Sequence, residues 1–238
     1  MSKLYKQLAQ VYHEMYQSIF DYKKEFERYN LLLKKYKCKS VLEIGCGSGI
    51  LASYFLKAGY EYVGLDFSNE MLRIAREQEP EATFIKGDMR NIKGKKKFDA
   101  VIITGKTISH LITNKDIVRT FQGVKNGLKN KGVLIFDTFD AQKLIALKKK
   151  KFVQTATFKN RIYKRVSEKT LNLATGWTEN WNATYYITEN GKTKSVRDKS
   201  VVRSFTKDEL AVFLKLTNFD VLSIKEKDNV ILTVARKK

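Results

Sequence analysis

The spacing of apolar residues divides the chain into three kinds of segment. From Leu4 to Tyr36, apolar residues recur every three or four positions with Glu and Lys between them, which predicts an amphipathic helical arm. From Ser40 to about residue 140, short apolar runs alternate with helical patterns. The predicted strands are Ser40–Ile44, Tyr62–Asp66, Ala82–Lys86, Ala100–Thr104 and Gly132–Asp137. Such nearly continuous apolar strands are typical of a parallel sheet covered by helices on both faces.

The pattern changes again after Asp140. Residues 152–205 alternate polar and apolar positions and are rich in Thr, Tyr, Val and Trp, which predicts an antiparallel insertion with a hairpin turn at 189–191. Thr206 and Glu209 have the spacing of a capping box and predict the start of a last helix. Residues 221–224 and 230–235 then predict two closing strands. We therefore predict a doubly wound, Rossmann-like α/β fold with a seven-stranded, mostly parallel sheet.

Composition excludes several classes of protein. The chain has 238 residues, of which 43% are hydrophobic, so it can bury a core of one domain or of a domain with an insertion. Cys38 and Cys46 are its only cysteines, which excludes a disulfide framework. The first residues lack the apolar core of a signal peptide, and no apolar run is long enough to span a bilayer. We expect a cytoplasmic protein without a membrane partner.

The charge leaves the choice of partner open. A formal net charge of +21 is favourable for a polyanion such as RNA. However, the densest lysine runs, 95–97 and 148–151, are more typical of solvated loops and helix ends, and no arginine-aromatic pattern indicates base reading. Metal-ligand spacing is absent, so we expect no metal. The sequence does not predict the oligomeric state.

The strongest local signal is a glycine-rich loop between a predicted strand and a predicted helix. Residues 42–49 read LEIGCGSG, and glycines at such a turn let a ligand approach the main chain at the edge where strands end. Asp66 ends the next strand, where a carboxylate can accept hydrogen bonds from both hydroxyls of a ribose. Asp88, after the third strand, can accept from an adenine amino group, with Met89 beside it as an apolar contact.

Together these motifs resemble those of class I S-adenosylmethionine-dependent methyltransferases. The resemblance covers about residues 36–138 and is carried by LEIGCGSG, GLDFS at 64–68, FIKGDM at 84–89 and FDAVI at 98–102. The flanking segments around Tyr12, Asp21, Glu70 and Ile108 are similar to small-molecule methyltransferases related to sugar-amine N,N-dimethyltransferases. The resemblance implies S-adenosylmethionine as cofactor, an N-terminal tyrosine helix that closes over it, and an antiparallel insertion over the acceptor pocket.

On this basis we divide the chain into a helical arm (1–36), a cofactor-binding α/β core (37–140), an antiparallel substrate-covering insertion (141–205), and a C-terminal helix with two closing strands (206–238). The resemblance places Tyr22 near the cofactor and Tyr16 near the acceptor, and Thr104 replaces an apolar residue that touches the cofactor. The chain departs from the family at His13, where Asp is usual, and at Lys106. The resemblance therefore does not identify the acceptor of this chain. The expected cofactor-binding residues are Tyr22, Glu43, Gly45, Cys46, Gly47, Gly49, Asp66, Phe67, Gly87, Asp88, Met89 and Thr104.

The expected reaction is in-line transfer of a methyl group to nitrogen or oxygen of a small-molecule acceptor. His110, Tyr16 and Asp137 are the candidate catalytic residues, although His110 and Tyr16 fit packing roles and Asp137 fits a structural hydrogen-bond acceptor. Tyr12 and Arg203 are the candidate substrate contacts. The four-residue spacing of Tyr12 and Tyr16 is equally typical of core packing. Arg203 resembles an arginine before the last helix of related enzymes, which implies binding of an anionic acceptor, and the alternative is a surface strand residue. Two tryptophans and two tyrosines of the insertion form either an acceptor wall or a small core: Trp177, Trp181, Tyr185 and Tyr186. The alternatives are an RNA or other macromolecule methyltransferase and a non-catalytic nucleotide-binding module.

Overall fold

The computed structural model of the chain describes residues 2–92, 97–145 and 150–238. Of the two lysine runs singled out in the sequence, residues 95–96 and 148–149 lie outside these ranges. The helices are α1 (Ala9–Ile19), α2 (Tyr22–Lys35), α3 (Ile50–Lys57), α4 (Asn69–Gln78), α5 (Asn114–Gly127), α6 (Ala141–Ile145) and α7 (Lys207–Leu216), and short 3-10 helices occupy Lys3–Tyr5, Met89–Asn91 and Thr107–His110. The strands are β1 (Ser40–Ile44), β2 (Glu61–Asp66), β3 (Thr83–Lys86), β4 (Phe98–Ile103), β5 (Leu128–Phe139), β6 (Lys150–Phe158), β7 (Arg161–Leu171), β8 (Thr178–Glu189), β9 (Lys192–Arg203), β10 (Phe219–Lys227) and β11 (Val230–Lys237).

The main sheet has seven strands in the order β10-β11-β5-β4-β1-β2-β3. The strands β1 to β5 are parallel, and β11 pairs in antiparallel orientation with both β5 and the edge strand β10. Apolar clusters cover both faces of this sheet, which is why every residue of β1 is buried. The predicted doubly wound α/β fold is confirmed. All five parallel strands point their carboxyl ends toward the same edge, where ligands bind in open α/β sheets.

The second sheet is a four-stranded antiparallel meander, β6-β7-β8-β9, and confirms the predicted antiparallel segment. The turn predicted at 189–191 joins β8 to β9, with positive φ angles at Asn190 and Gly191, as a tight hairpin turn requires. One face of this sheet packs against α1 through Tyr163, Ala183 and Ile187. The capping box at the start of α7 is also present.

The arm differs from the prediction of one helix from Leu4 to Tyr36. It contains a 3-10 turn and two helices, because the backbone of Phe20 is extended. Asp21 then begins α2 as its N-cap, and its carboxylate accepts from the Lys24 amide at 2.9 Å. Because the three- and four-residue spacing of apolar residues continues across this break, the sequence pattern did not predict it. The break lets α1 pack against the second sheet while α2 packs against the main sheet.

Among the described residues, no helix is both long enough and apolar enough to cross a membrane.

Candidate active site

The glycine-rich loop connects the end of β1 to the start of α3 at the carboxyl edge of the main sheet. The amides of Gly45 and Cys46 donate to the Leu65 carbonyl at the end of β2, at 2.7 and 3.2 Å. Gly45, Gly47 and Gly49 all have positive φ angles, which favour glycine. A Cβ at Gly45 would lie 2.4 Å from the Thr107 side chain, whereas a Cβ at Gly47 would meet nothing within 4 Å. The loop is therefore closely packed against Thr107 at Gly45 and has open space at Gly47.

Asp66 lies beside this opening. One carboxylate oxygen accepts from the Gly47 amide at 2.9 Å, and the other accepts from the Ser68 amide at 2.8 Å. Burial raises the pKa of Asp66, and these amide hydrogen bonds oppose the increase. Because a carboxylate has about four acceptor positions, the two oxygens retain capacity for further donors such as hydroxyls.

Glu43 is buried at the end of β1, with only 1% of its surface exposed. The Tyr62 and Thr104 hydroxyls donate to its two oxygens at 2.6 and 2.5 Å. Burial raises the pKa of Glu43 to about 7, although both hydrogen bonds favour the ionised form. The bond to Glu43 thus accounts for a polar residue at position 104, where the family resemblance implied an apolar residue.

The third strand ends with Gly87, Asp88 and Met89. The Gly87 amide donates to the Asp66 carbonyl at 2.9 Å, which joins the ends of β2 and β3. The carboxylate of Asp88 accepts from the Arg90 side chain, with the shortest contact at 2.6 Å, and this bonding lowers the pKa of Asp88. Any adenine amino group at Asp88 would share the carboxylate with Arg90. Phe67 is 46% exposed and offers an apolar surface at the same edge.

The tyrosines of the arm form a stacked row above this edge. Tyr12 stacks on Tyr16 with ring centroids 4.0 Å apart, and Tyr5 contacts Tyr12 at 5.7 Å. Tyr22, at the start of α2, lies beside Phe20, with ring centroids 6.3 Å apart. Ser68, next to Asp66, donates to the Tyr5 carbonyl. The arm therefore lies against the loop that carries Asp66.

Two histidines flank this row. The Nδ1 of His13 lies 3.0 Å from the Ser48 hydroxyl of the glycine loop, and burial lowers the pKa of His13. His110 follows β4, and its Nε2 lies 3.1 Å from the Tyr5 hydroxyl. His110 is partly exposed to solvent. Desolvation by the surrounding protein lowers the pKa of His110, and the negative charge of Asp198 opposes this effect. Both imidazoles therefore favour the neutral form, which can accept a proton.

The inner face of the second sheet carries a cluster of charged and aromatic side chains, of which only Tyr16, Trp181 and Tyr185 were expected near the acceptor from the sequence. Arg165 on β7 is buried and donates to the Tyr16 hydroxyl and to Gln154. Lys169, further along β7, forms an ion pair with Glu179 at 2.6 Å. We call this cluster the inner-face chamber: Tyr16, Phe139, Arg165, Lys169, Glu179, Trp181 and Tyr185. For Arg165, Lys169 and Glu179, only the alternation of side chains along each strand pointed to this face, and that signal does not tell which strands pair.

Asp137, expected as a candidate base, is fully buried at the end of β5. Its carboxylate accepts from the Lys106 amide at 3.0 Å and the Tyr29 hydroxyl at 3.2 Å, and the side chains of Arg28 and Lys106 lie 3.4 and 3.5 Å away. These contacts correspond to the structural role that the sequence left as the alternative. The Lys106 ammonium is directed to Asp137 and balances its charge.

Arg203, expected as a substrate contact, is also buried and held by protein groups. Its guanidinium pairs with Glu209 at 2.9 Å and donates to Asn114 at 2.7 Å. This arrangement ties β9 to the helices α5 and α7, and the burial of Arg203 shows that the alternative of a surface residue was wrong. Of the four insertion aromatics, Trp181 and Tyr185 face the chamber, whereas Tyr186 is exposed on the opposite face of β8.

Comparisons with known proteins agree with this geometry. Residues 41–132 match the model of a family described as a methyltransferase domain. A putative methyltransferase of Bacillus subtilis, YqeM, is 34% identical over 108 residues, which is 44% of each chain. A dTDP-3-amino-3,4,6-trideoxy-alpha-D-glucopyranose N,N-dimethyltransferase of Streptomyces venezuelae is 30% identical over 101 residues, covering 42% of this chain and 43% of the relative. The matches thus span less than half the length of these relatives.

Similarity in structure extends further along the chain. An S-adenosylmethionine-dependent methyltransferase from Clostridium acetobutylicum superimposes with a TM-score of 0.81 at 19% identity, over 98% of both chains. Streptomyces venezuelae DesVI gives a TM-score of 0.83 at 21% identity, over 92% of both chains. The second sheet and the arm thus belong to an arrangement that occurs in solved structures. Residues 41–132 are thus similar to a methyltransferase domain, and the chain as a whole has the same fold as these two solved structures.

Proposed function

We propose that this protein transfers a methyl group from S-adenosylmethionine to a nitrogen or oxygen of a small-molecule acceptor. The observation that carries the proposal is the pairing of Asp66 with the open glycine loop. The Gly47 amide and the carboxylate of Asp66 lie 2.9 Å apart at the carboxyl edge of the sheet. That edge is the ligand-binding position of this fold class.

The residues at this edge fit the cofactor. The open space at Gly47 admits a ligand against the main chain, and Asp66 has acceptor capacity for ribose hydroxyls. In this proposal Asp88 and Met89 contact the adenine, and Glu43 and Tyr22 contact the rest of the molecule. The cofactor, when bound, supplies a methyl group activated by a positively charged sulfur. The complete proposed set also includes Gly45, Cys46, Gly49, Phe67, Gly87 and Thr104.

The protein's own contribution is alignment and proton transfer. Tyr12 and Tyr16 form an aromatic wall between the cofactor edge and the inner-face chamber, and such alignment can supply about 7–11 kcal/mol of a barrier. His110 lies at the same edge with a lowered pKa, so a neutral imidazole is available to accept a proton from an amine or hydroxyl. A base of this kind contributes roughly 10²–10⁴-fold. We assign His110 as the general base in preference to the buried Asp137.

Calorimetric titration with S-adenosylhomocysteine tests the cofactor assignment. We expect binding to the wild-type protein, a loss of at least about tenfold in Asp66→Ala, and no binding of NADH. Asp220→Ala is the matched control, because Asp220 is an exposed carboxylate that pairs only with Lys238 in the described contacts. Equal affinity of the wild type and Asp66→Ala for S-adenosylhomocysteine, or no binding by either, would refute the proposed cofactor site.

The net charge of +21 favours RNA as a second candidate acceptor. The outer face of the second sheet carries Lys164, Arg197 and Lys199, which extend this positive charge over a surface away from the inner-face chamber. Because phosphate contacts release counterions, RNA binding would weaken steeply with salt. Methyl transfer to RNA that follows this salt dependence would favour RNA. Transfer only to small molecules at all salt concentrations would exclude it.

A further inference from the structure

The inner-face chamber contains a buried positive charge without a counterion. Arg165 is 5% exposed, and its guanidinium donates to the neutral groups of Tyr16 and Gln154. Its Nε is buried and has no hydrogen-bond partner. Among the described residues, no carboxylate lies within ion-pair distance of Arg165. A buried charge without a partner is costly, and such groups are normally paired or bind a ligand.

The neighbouring groups of the chamber do not supply the missing negative charge. Lys169 lies further along β7 and is already paired with Glu179. Asp198 accepts from the Ser2 hydroxyl and the Lys3 amide at 2.7 and 2.6 Å. The hydroxyls of Tyr16 and Tyr185 border Arg165, but burial raises the pKa of both, so they remain neutral phenols. Arg165 is therefore available to an incoming anion.

The strand register places a pair of small residues next to Arg165. Arg165 is opposite Tyr185, and Lys169 is opposite Trp181. Between these large pairs lies the small pair Ser167 and Ala183. Since all of these positions are on the inner face, the small pair forms a floor flanked by cations and aromatic rings.

Aromatic rings complete the walls. The Trp181 ring lies between the cations, 5.6 Å from the Arg165 guanidinium and 4.3 Å from the Lys169 ammonium. Phe139, at the end of β5, contacts Trp181 from the main sheet at 6.4 Å. Tyr16 lies 5.3 Å from Arg165 and stacks on Tyr12 toward the cofactor edge. The chamber is therefore continuous with the site proposed for methyl transfer.

From this geometry we propose that the inner-face chamber binds the acceptor through an anionic group, a phosphate or a carboxylate, which pairs with Arg165 while Trp181 and Tyr16 enclose the adjoining part of the molecule. This inference rests on the proposed function, since it names the chemistry of that acceptor. It gives Arg165 the anion-binding role that the sequence analysis considered for Arg203. Both anions suit a guanidinium, which can donate two parallel hydrogen bonds to either.

Binding of simple anions tests the proposal without knowledge of the acceptor. Pyrophosphate and succinate serve as the phosphate and dicarboxylate probes and are titrated by calorimetry in the presence of S-adenosylhomocysteine at about 150 mM salt. We expect at least one probe to bind the wild type, and the preferred probe identifies the anion. Arg165→Met should weaken that binding by about tenfold or more, because a hydrogen-bonded charge pair is lost. Lys164→Met is the matched control on the opposite face of β7 and should change it by less than about twofold.

The two tryptophans of the chain give a second measurement that does not depend on an Arg165 variant folding. In Trp177→Phe, Trp181 is the only remaining tryptophan, and the preferred anion should change its fluorescence. In Trp181→Phe, the fluorescence of Trp177 should stay unchanged. No anion binding to the wild type, equal binding to the wild type and Arg165→Met, or a signal from Trp177 alone would overturn the proposal.

The same samples separate this proposal from the proposed function. A protein that binds S-adenosylhomocysteine but neither anion refutes the anionic acceptor and leaves the cofactor site intact. A protein that fails to bind S-adenosylhomocysteine refutes the methyltransferase function itself. Unchanged affinity for S-adenosylhomocysteine in Arg165→Met would also show that this variant is folded.

Discussion

The two sides of the site are built in different ways. On the cofactor side, the decisive groups are main-chain amides and one carboxylate, and residues 45 to 68 supply them within two strand-loop-helix units. On the acceptor side, the decisive groups are the side chains Tyr16, Arg165 and Trp181. Tyr16 is 149 residues from Arg165 in the chain, and the three meet because β7 pairs with β8 and faces α1. The first side depends on backbone shape. The second depends on the packing of separate elements.

Gly45→Ala should have the largest effect, because it breaks the backbone shape of the cofactor side. Its Cβ would lie 2.4 Å from Thr107, and its φ angle is +75°. Overpacking costs about 1–3 kcal/mol and the left-handed backbone about 1–2 kcal/mol, so we expect a loss of about 2–5 kcal/mol in urea unfolding. Binding of S-adenosylhomocysteine should fall as well.

Gly59→Ala separates the two causes of this loss. Gly59 also has a positive φ angle, but a Cβ there would meet nothing within 4 Å. We expect only the backbone cost of about 1–2 kcal/mol and unchanged binding of S-adenosylhomocysteine. Equal losses of stability in the two variants would show that the close approach of Thr107 to the loop is unimportant.

Glu43→Gln should change how stability on the cofactor side depends on pH. The pKa of Glu43 is about 7 in the folded protein and about 4.5 in the unfolded chain, so the folded state holds the proton more tightly. This contribution to stability is complete below pH 4.5 and is lost as the pH rises to about 7. We expect the wild type to lose up to about 3 kcal/mol relative to Glu43→Gln over this range.

Thermal unfolding of the ligand-free proteins between pH 4.5 and 8 would measure this difference. Thr104→Val is the control, since it removes one hydrogen bond to Glu43 but retains the titrating carboxyl group. The stability of Thr104→Val should therefore fall with rising pH, as that of the wild type does. A constant difference between the wild type and Glu43→Gln at all pH values would contradict the raised pKa of Glu43.

Tyr16→Phe should affect the acceptor side and leave the cofactor side intact. The Tyr16 hydroxyl accepts from Arg165, and its removal leaves a buried donor without that partner. Such a loss costs about 1–3 kcal/mol of stability. Affinity for S-adenosylhomocysteine should change by less than about twofold, because the tyrosine ring remains. Urea unfolding and calorimetry together would test both expectations.

Tyr186→Phe provides the matched control for this variant. Tyr186 lies next to Tyr185 on β8 but on the exposed face, so removal of its hydroxyl should change stability by less than about 0.5 kcal/mol. A similar loss in the two variants would mean that the bond between Arg165 and Tyr16 does not contribute to the fold.

The same difference explains what could be predicted from the sequence. The parallel sheet, the glycine loop and the turn at 189–191 follow from local patterns, because each is encoded within a short segment. Asp66 could be placed beside the loop since strands β1 and β2 end at one edge. The place of Arg165 beside these aromatic residues could not be predicted, because its pairing with Tyr185 depends on strand register. The break at Phe20 and the burial of Arg203 also depend on tertiary contacts that no local pattern encodes.

Ser2→Ala should give the smallest effect and tests how strongly the two sides are joined. The Ser2 hydroxyl donates to Asp198 on the second sheet, and three residues later the Tyr5 carbonyl accepts from Ser68 beside Asp66. The segment thus spans from the acceptor side to the cofactor side. Because the Lys3 amide still donates to Asp198 in the variant, we expect a loss of only about 0.5–1.5 kcal/mol.

Hydrogen exchange would show where this loss is felt. We expect faster exchange at the amides of the first turn, together with unchanged exchange in β1 and β4, because local opening does not require the core to unfold. Ser18→Ala is the control, since the Ser18 hydroxyl donates to the Thr157 carbonyl at an exposed position. Faster exchange at Ser68 as well as in the first turn would indicate that the two sides open together. A change confined to residues before Tyr5 would indicate that the contact between Tyr5 and Ser68 stays intact and that the two sides open independently.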